Sequence, residues 1–176
     1  MNLVNYYLSS TKISYKDYNI DDKINICIIE DLQKLTVTFK KWGLPFVVTG
    51  SLSLFIHHNI VYRTFKDIDL IIKNKNNLEM YVRCLTEEGY AVCAYQGYSL
   101  KETLKYYLDG RHNIFYFYSH QKFYYLDLIY NPCIDRKCYT KGFENFSLEY
   151  TNPMVVKNAW DREVDESDRT IYLDKY

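Results

Sequence analysis

The stretch "VVTGSLSLFIHHNIVYRTFKDIDLII", residues 47–72, places two acidic residues, Asp67 and Asp69, one residue apart inside an apolar run. Its end, "DIDLII", reads as a strand, and successive side chains on a strand leave by opposite faces. Asp67 and Asp69 therefore share one face, while Ile68, Leu70 and Ile72 share the other. Like charges that close repel, and one pKa rises unless a cation or a proton stands between them. Asp is also depleted in strands, so the pair asks for a reason. Upstream, "PFVVT" is a short β-branched run, Gly50-Ser51 follows, and "LSLFIHH" is long enough for two helical turns. Gly50-Ser51 is thus expected between a strand and a helix.

Working outward, "DDKINICIIEDLQKLTVTFKKWG" carries Ile24, Ile28, Leu32, Leu35 and Phe39 at steps of three and four, with acids at its start and Gly43 past its end. This predicts an amphipathic helix. Beyond the Asp pair, "NNLEMYVRCLTEEG" predicts a helix ending at Gly89, and "YAVCAY" a further strand. The order to that point is α-β-α-β-α-β. "RHNIFYFYSHQKFYYLDLIY" holds two aromatic runs about polar "SHQK", the pattern of a hairpin closed by Pro132. Thr151 or Asn152 caps a last helix, expected over 153–173, with Pro153 in its first turn. Residues 1–20 give no clear pattern. No repeat, composition shift or linker divides residues 21–176, so one domain of mixed α+β class is expected, a mixed sheet flanked by helices.

A chain of 176 residues can bury a core of its own. Its hydrophobic fraction of 48% and charged fraction of 25% exclude a disordered or membrane class. Lys plus Arg equal Asp plus Glu at 22 each, which removes the broad positive field of a general nucleic-acid binder and leaves only a local basic groove open. No apolar run reaches bilayer length, and "MNLVNYYLSSTKIS" lacks a signal-peptide pattern, so no membrane partner and a cytoplasmic location are expected. Cys27, Cys84, Cys93, Cys133 and Cys138 form no CxxC and are expected as thiols.

A third acid, Asp127, is the only charged residue in "FYYLDLIY". If that strand lies beside "DIDL", Asp127 can share the face of Asp67 and Asp69. Three carboxylates suit Mg2+, a hard ion that takes oxygen ligands and fills its remaining positions with water and phosphate oxygens. Taken alone, a DxD pair reads first as a solvated strand edge served by Arg63, Lys66 or Lys73, since the pattern occurs by chance. Gly50 and Ser51 shift the balance, because a helix start after a strand offers backbone N–H groups, a hydroxyl and a positive dipole end to a phosphate. A phosphate seat beside a metal seat reads as a nucleoside triphosphate site.

In these residues the chain resembles the nucleotidyltransferase superfamily, the fold of DNA polymerase β. The shared order is strand, Gly-Ser, short helix, Asp-x-Asp, then an acid on a later strand. With Arg63 ahead of the pair, "TGSLSLFIHHNIVYRTFKDIDLII" is similar to minimal single-domain members, the AbiEii-type toxins and the lincosamide and aminoglycoside nucleotidyltransferases. Fifteen residues separate Ser51 from Asp67, more than the usual interval, which implies an extended loop at "HHNIVYRTFK". The resemblance implies that Asp67, Asp69 and Asp127 are catalytic and hold two Mg2+ ions, or Mn2+, and that an NTP gives its nucleoside monophosphate to an acceptor hydroxyl. Asp127 would bridge toward the acceptor or act as general base. Gly50, Ser51, Arg63, Lys66 and Lys157 are the implied nucleotide-binding residues, with Lys157 alternatively a surface lysine paired with Asp161. The acceptor is open among a small molecule such as an antibiotic, RNA and protein. The alternative function is a catalytically inactive binding or regulatory module, for example in a toxin-antitoxin pair, and a homodimer or protein partner would enlarge the cleft of so short a chain. His57, His58, His112 and His120 show no zinc spacing, and Trp42 and Trp160 read as packing residues.

Overall fold

The computed structural model describes residues 1–14, 18–94, 98–109, 113–119, 121–122, 124–134 and 138–159. In chain order its elements are α1 (Leu3–Leu8), β1 (Thr11–Lys12), α2 (Asp22–Lys41), β2 (Val47–Val48), α3 (Gly50–His58), β3 (Ile60–Val61), β4 (Asp67–Ile72) and α4 (Leu78–Glu87). They continue with β5 (Ala91–Val92), α5 (Leu100–Leu108), β6 (Ile114–Ser119), β7 (Tyr124–Tyr130), β8 (Cys138–Gly142), β9 (Ser147–Thr151) and α6 (Pro153–Ala159). The class is mixed α+β. No helix among the described residues is long and apolar enough to cross a membrane.

The major sheet has the order β5-β6-β7-β4-β2-β9-β8. Strand β4 lies inside it, parallel to β7 and antiparallel to β2. The "DIDL" strand therefore has a neighbour on each side and is no solvated edge. Alternation puts Ile68, Leu70 and Ile72 into the main core with Leu126 and Leu128 of β7, all fully buried. Helices α2 and α4 contribute Ile28, Leu32, Leu35, Tyr81 and Leu85 to the same core. Each such side chain contributes roughly 1.5–3 kcal/mol by leaving water, so the core face dictates the register of β4.

Helix α2 begins where Asp21 caps it, accepting from the backbone N–H of Lys23 at 3.0 Å and of Ile24 at 3.2 Å. Ile24 faces solvent and Ile29 is buried instead, so the apolar stripe starts one turn later than the spacing predicts. Buried Asn25 on this helix donates through Nδ2 to Tyr7 Oη at 3.0 Å and to the Arg63 carbonyl at 3.3 Å, and its Oδ1 accepts from Phe65 N–H at 2.6 Å. It ties down the chain that enters β4. Lys122, in the turn of the β6–β7 hairpin, pairs with buried Asp31 of α2 and anchors that hairpin to the same helix.

Several elements depart from the sequence reading. The N-terminal segment, which shows no clear pattern in sequence, places Leu3, Tyr6 and Tyr7 of α1 in the main core. The long interval between Ser51 and Asp67 contains β3, which pairs in parallel with β1. The strand expected over "YAVCAY" is only Ala91–Val92. Helix α5 was not anticipated, although Ser99 and Glu102 form a complete capping box at its start. The β8–β9 hairpin was also missed, and β9 joins the sheet in parallel with β2. Asn152, of the two capping candidates, accepts from Val155 N–H through Oδ1 at 3.1 Å. Of the helix expected over 153–173, residues beyond Ala159 lie outside the described residues, as do His112, His120, Trp160 and Asp161.

Candidate active site

Strand register brings the three acids onto one face. In the β4–β7 ladder Asp69 stands opposite Asp127, and Asp67 opposite Tyr125. Residues directly opposite in a ladder share a face, so Asp67, Asp69 and Asp127 project together, away from the main core. The next row on that face is apolar: Ile71 opposite Ile129, joined by Val47 of β2, with Ile134 and Val155 of α6 packed on them.

The three carboxylates are partly shielded by the surrounding protein, and each pays for the lost hydration. Burial first, then the charges of Asp67 and Asp127, push Asp69 up to about 8. Asp127 is pushed up to about 6 by burial and by Asp67. Asp67 is also raised by burial, against the opposing pull of the Arg63 and Lys66 charges. All three therefore bind protons more tightly in the folded chain than in the unfolded one, where Asp titrates near about 4. Their contribution to stability is full below that pH and is lost as pH rises through the folded values. Without divalent cations, thermal unfolding followed from pH 5 to 9 is expected to show stability falling toward pH 8. Asp22 and Glu88 have lowered pKa values and act with the opposite sign only below about pH 4.5, but the His57 imidazole, held below its usual range by burial and by the Lys141 charge, adds stability as pH rises toward about 6.5, so the fall is read between about pH 6.5 and 8. A melting temperature that climbs steadily through this window would contradict the assignment.

Gly50 opens α3 with a φ of +64°, a region that disfavours any side chain. A Cβ there would run into the Asp69 carboxylate Oδ2. The glycine thus serves two needs, the turn and close approach to the acid. Thr49 N–H donates to the Asp69 carbonyl at 2.9 Å, which fixes the turn against β4. The Thr151 hydroxyl donates to Ser53 Oγ at 3.2 Å, and Ser53 Oγ donates to the Gly50 carbonyl at 2.8 Å. A hydroxyl has one proton, so Thr49 must donate to Thr151 across their 3.1 Å contact. Thr49 consequently leaves the start of α3 without a side-chain cap. The helix start at Gly50 stands beside Asp69, and its N–H groups are a suitable seat for an anion.

Of the other expected site residues, Arg63 and Lys66 lie close enough to act on Asp67 by charge. Lys73 pairs instead with Glu149 at 3.2 Å. Lys157 is on α6, whose Val156 packs with Leu54 of α3, but its side chain lies outside the described residues. His57 and His58 end α3, and the Tyr150 hydroxyl lies 3.4 Å from His57 Nδ1. Trp42 caps α2 and packs against the main core. Asn25 and Thr151 were missed by the sequence reading. An Asn buried in a helix and a Thr at a strand end carry no local signal of the distant backbone they hold.

The donor set suits a hard divalent ion: three carboxylates on one face, with the buried Asp127 Oδ1 lacking a hydrogen-bond partner among the described residues. As placed, no three His, Cys, Asp or Glu side chains among the described residues stand close enough together to grip an ion. Closure onto a cation therefore requires side-chain rotation, not a change of register.

No protein-family model matches the chain, and no curated protein matches it in sequence. Solved structures do. The chain is similar to the lincosamide antibiotic adenylyltransferase LnuA in its lincomycin-bound form, with a TM-score of 0.55 and 13% identity over 86% of this chain and 94% of that one. It is likewise similar to ANT(2'')-Ia in complex with adenylyl-2''-tobramycin, with a TM-score of 0.55 and 13% identity over 84% of this chain and 81% of that one. The chain therefore has the nucleotidyltransferase fold.

Proposed function

We propose that the protein transfers a nucleoside monophosphate from an NTP to the hydroxyl of a small molecule, with Asp67, Asp69 and Asp127 as the catalytic carboxylates. The observation that carries this reading is the placement of Asp69 between Asp127 on one side and the uncapped start of α3 on the other. The fold likeness to an adenylyltransferase bound to lincomycin and to a protein bound to adenylylated tobramycin favours a small-molecule acceptor over RNA or protein. Asp67, Asp69 and Asp127 would hold two Mg2+ ions. When bound, these would neutralise the triphosphate and acidify the acceptor hydroxyl.

The remaining work belongs to the chain itself. The N–H groups at Gly50 and Ser51 bind phosphate oxygens with the favourable end of the helix dipole. Arg63, Lys66 and Lys157 add positive charge around the triphosphate. Asp127 accepts the proton of the acceptor hydroxyl as general base. The hydroxyl oxygen bonds to the α-phosphorus as the bond to pyrophosphate breaks, and most of the rate comes from in-line positioning.

The test is an extract screen. Purified protein, Mg2+ and each of the four α-labelled NTPs are incubated with small-molecule extract, and label is followed into new products, with Asp69→Asn as control. Transfer by wild type alone is the expected result. Metal-dependent NTP binding with no transfer to any fraction would instead favour a non-catalytic binding module.

A further inference from the structure

We infer that the acceptor carries a planar, aromatic-type ring whose face lies on Tyr125, buttressed by Tyr118, with its hydroxyl directed at Asp127. The inference rests on the transferase reading above and adds the class of acceptor to it. Strand register divides the acid face into rows. Tyr118 stands opposite Tyr125, which stands opposite Asp67, and Tyr116 stands opposite Asp127, which stands opposite Asp69. The two tyrosines therefore lie on the same face as the carboxylates, on β7 and β6. Their ring centroids are 4.9 Å apart with planes tilted by 48°. Tyr125 is 53% exposed although its strand lies inside the sheet.

The far end of this face is already covered by Ile134 and Val155 over Ile71 and Val47. At the tyrosine end, Tyr125 leaves an aromatic surface open to solvent beside the acids. Which ligand it meets follows from the reaction geometry. In-line displacement places the attacking hydroxyl and the departing pyrophosphate on opposite sides of the α-phosphorus. Helix α3, the phosphate seat, follows β2 on one side of β4. Strands β7 and β6 lie on the other. Neighbouring strands are about 4.8 Å apart, so Tyr118 is roughly two strand widths from β4, with the exposed Tyr125 between it and Asp67. The pyrophosphate leaves toward α3, and the tyrosines line the approach of the nucleophile. Aromatic faces hold planar rings by stacking and by excluding water, with little dependence on the identity of the ring.

The inference is tested with two probes that differ only in the ring, 4-nitrophenyl β-glucoside and methyl β-glucoside, by saturation-transfer NMR and titration. Binding is measured for wild type, Tyr125→Ala, Tyr118→Ala and Tyr125→Phe, both without nucleotide and with Mg2+ and a non-hydrolysable ATP analogue. The nitrophenyl compound is expected to bind wild type and Tyr125→Phe at least about ten-fold more tightly than the methyl compound. That preference is expected to vanish in the two alanine variants, with affinity for the ATP analogue unchanged. Equal binding of both glucosides to wild type, or a preference that survives in Tyr125→Ala, overturns the inference. Loss of affinity for the ATP analogue in Tyr125→Ala also overturns it, since the platform would then take the nucleobase. If wild type fails to bind the analogue with Mg2+, the transferase reading itself fails, a result separable from the ring preference measured without nucleotide.

Discussion

Asp69→Asn is expected to raise the melting temperature of the metal-free protein and at the same time to abolish nucleotidyl transfer. Asp69 is pushed up to about 8 by burial and by the neighbouring charges of Asp67 and Asp127. Above that pH its native carboxylate carries a charge that is poorly hydrated and repelled by two others. Asn keeps the shape and removes the charge, relieving at least about 1 kcal/mol, which in a chain of this length is about 2–4 °C. The gain should be largest near and above pH 8 and fade only as pH falls to about 4, where the unfolded chain is protonated at this residue as well. Calorimetry across that range in EDTA, beside a Mg2+ titration, checks both parts. Mg2+ should stabilise wild type and not the variant, and transfer should fall at least about 100-fold. Such opposition of stability and activity is what a functional charge cluster produces. A variant that loses stability at pH 8 would mean that Asp69 is a structural hydrogen-bonding residue.

Gly50→Ala is expected to destabilise the protein far more than the same change at another glycine of similar backbone conformation. Gly50 and Gly43 have φ values of +64° and +66°. A Cβ at Gly43 meets nothing within 4 Å, whereas one at Gly50 meets the Asp69 carboxylate. Placing alanine in the left-handed region costs about 1–2 kcal/mol at either site. Overpacking against Asp69 adds about 1–3 kcal/mol at Gly50 alone. Urea unfolding should therefore give a clearly lower midpoint for Gly50→Ala than for Gly43→Ala, at an unchanged slope. Since the displaced group is the Asp69 carboxylate, NTP binding should weaken in Gly50→Ala and be preserved in Gly43→Ala. Equal midpoints for the two variants would show that the turn tolerates the side chain and that the close approach of Gly50 to Asp69 has no energetic consequence.

Much of the central fold was legible because its signals are local. The three- and four-residue spacing marked α2, although Ile24 proved exposed. "DIDLII" and "YYLDLIY" alternate or run apolar over short lengths bounded by turn residues, and both are strands. Helix α5 was overlooked despite its Ser99 and Glu102 capping box, and the alternation of "SLEYT" in β9 despite its buried Leu148 and Tyr150. Those were misread local signals. Asn25 and Thr151 differ in kind. Asn25 holds the carbonyl of Arg63 and the N–H of Phe65, and Thr151 holds Thr49 and Ser53. These partners are 38 or more positions away along the chain, and nothing in the flanking residues names them.

By itself, the sequence determined that Asp67 and Asp69 leave β4 by one face, because strand geometry has a period of two, and that Gly50-Ser51 stands where a strand turns into a helix. Only the tertiary structure decided that Asp127 lies opposite Asp69, that Gly50 touches that carboxylate, and that Tyr125 and Tyr118 continue the same face. The physical reason is that pairing and register between distant strands are chosen by the apolar side chains buried on the opposite face of the sheet, whose collective packing no single stretch of the chain contains.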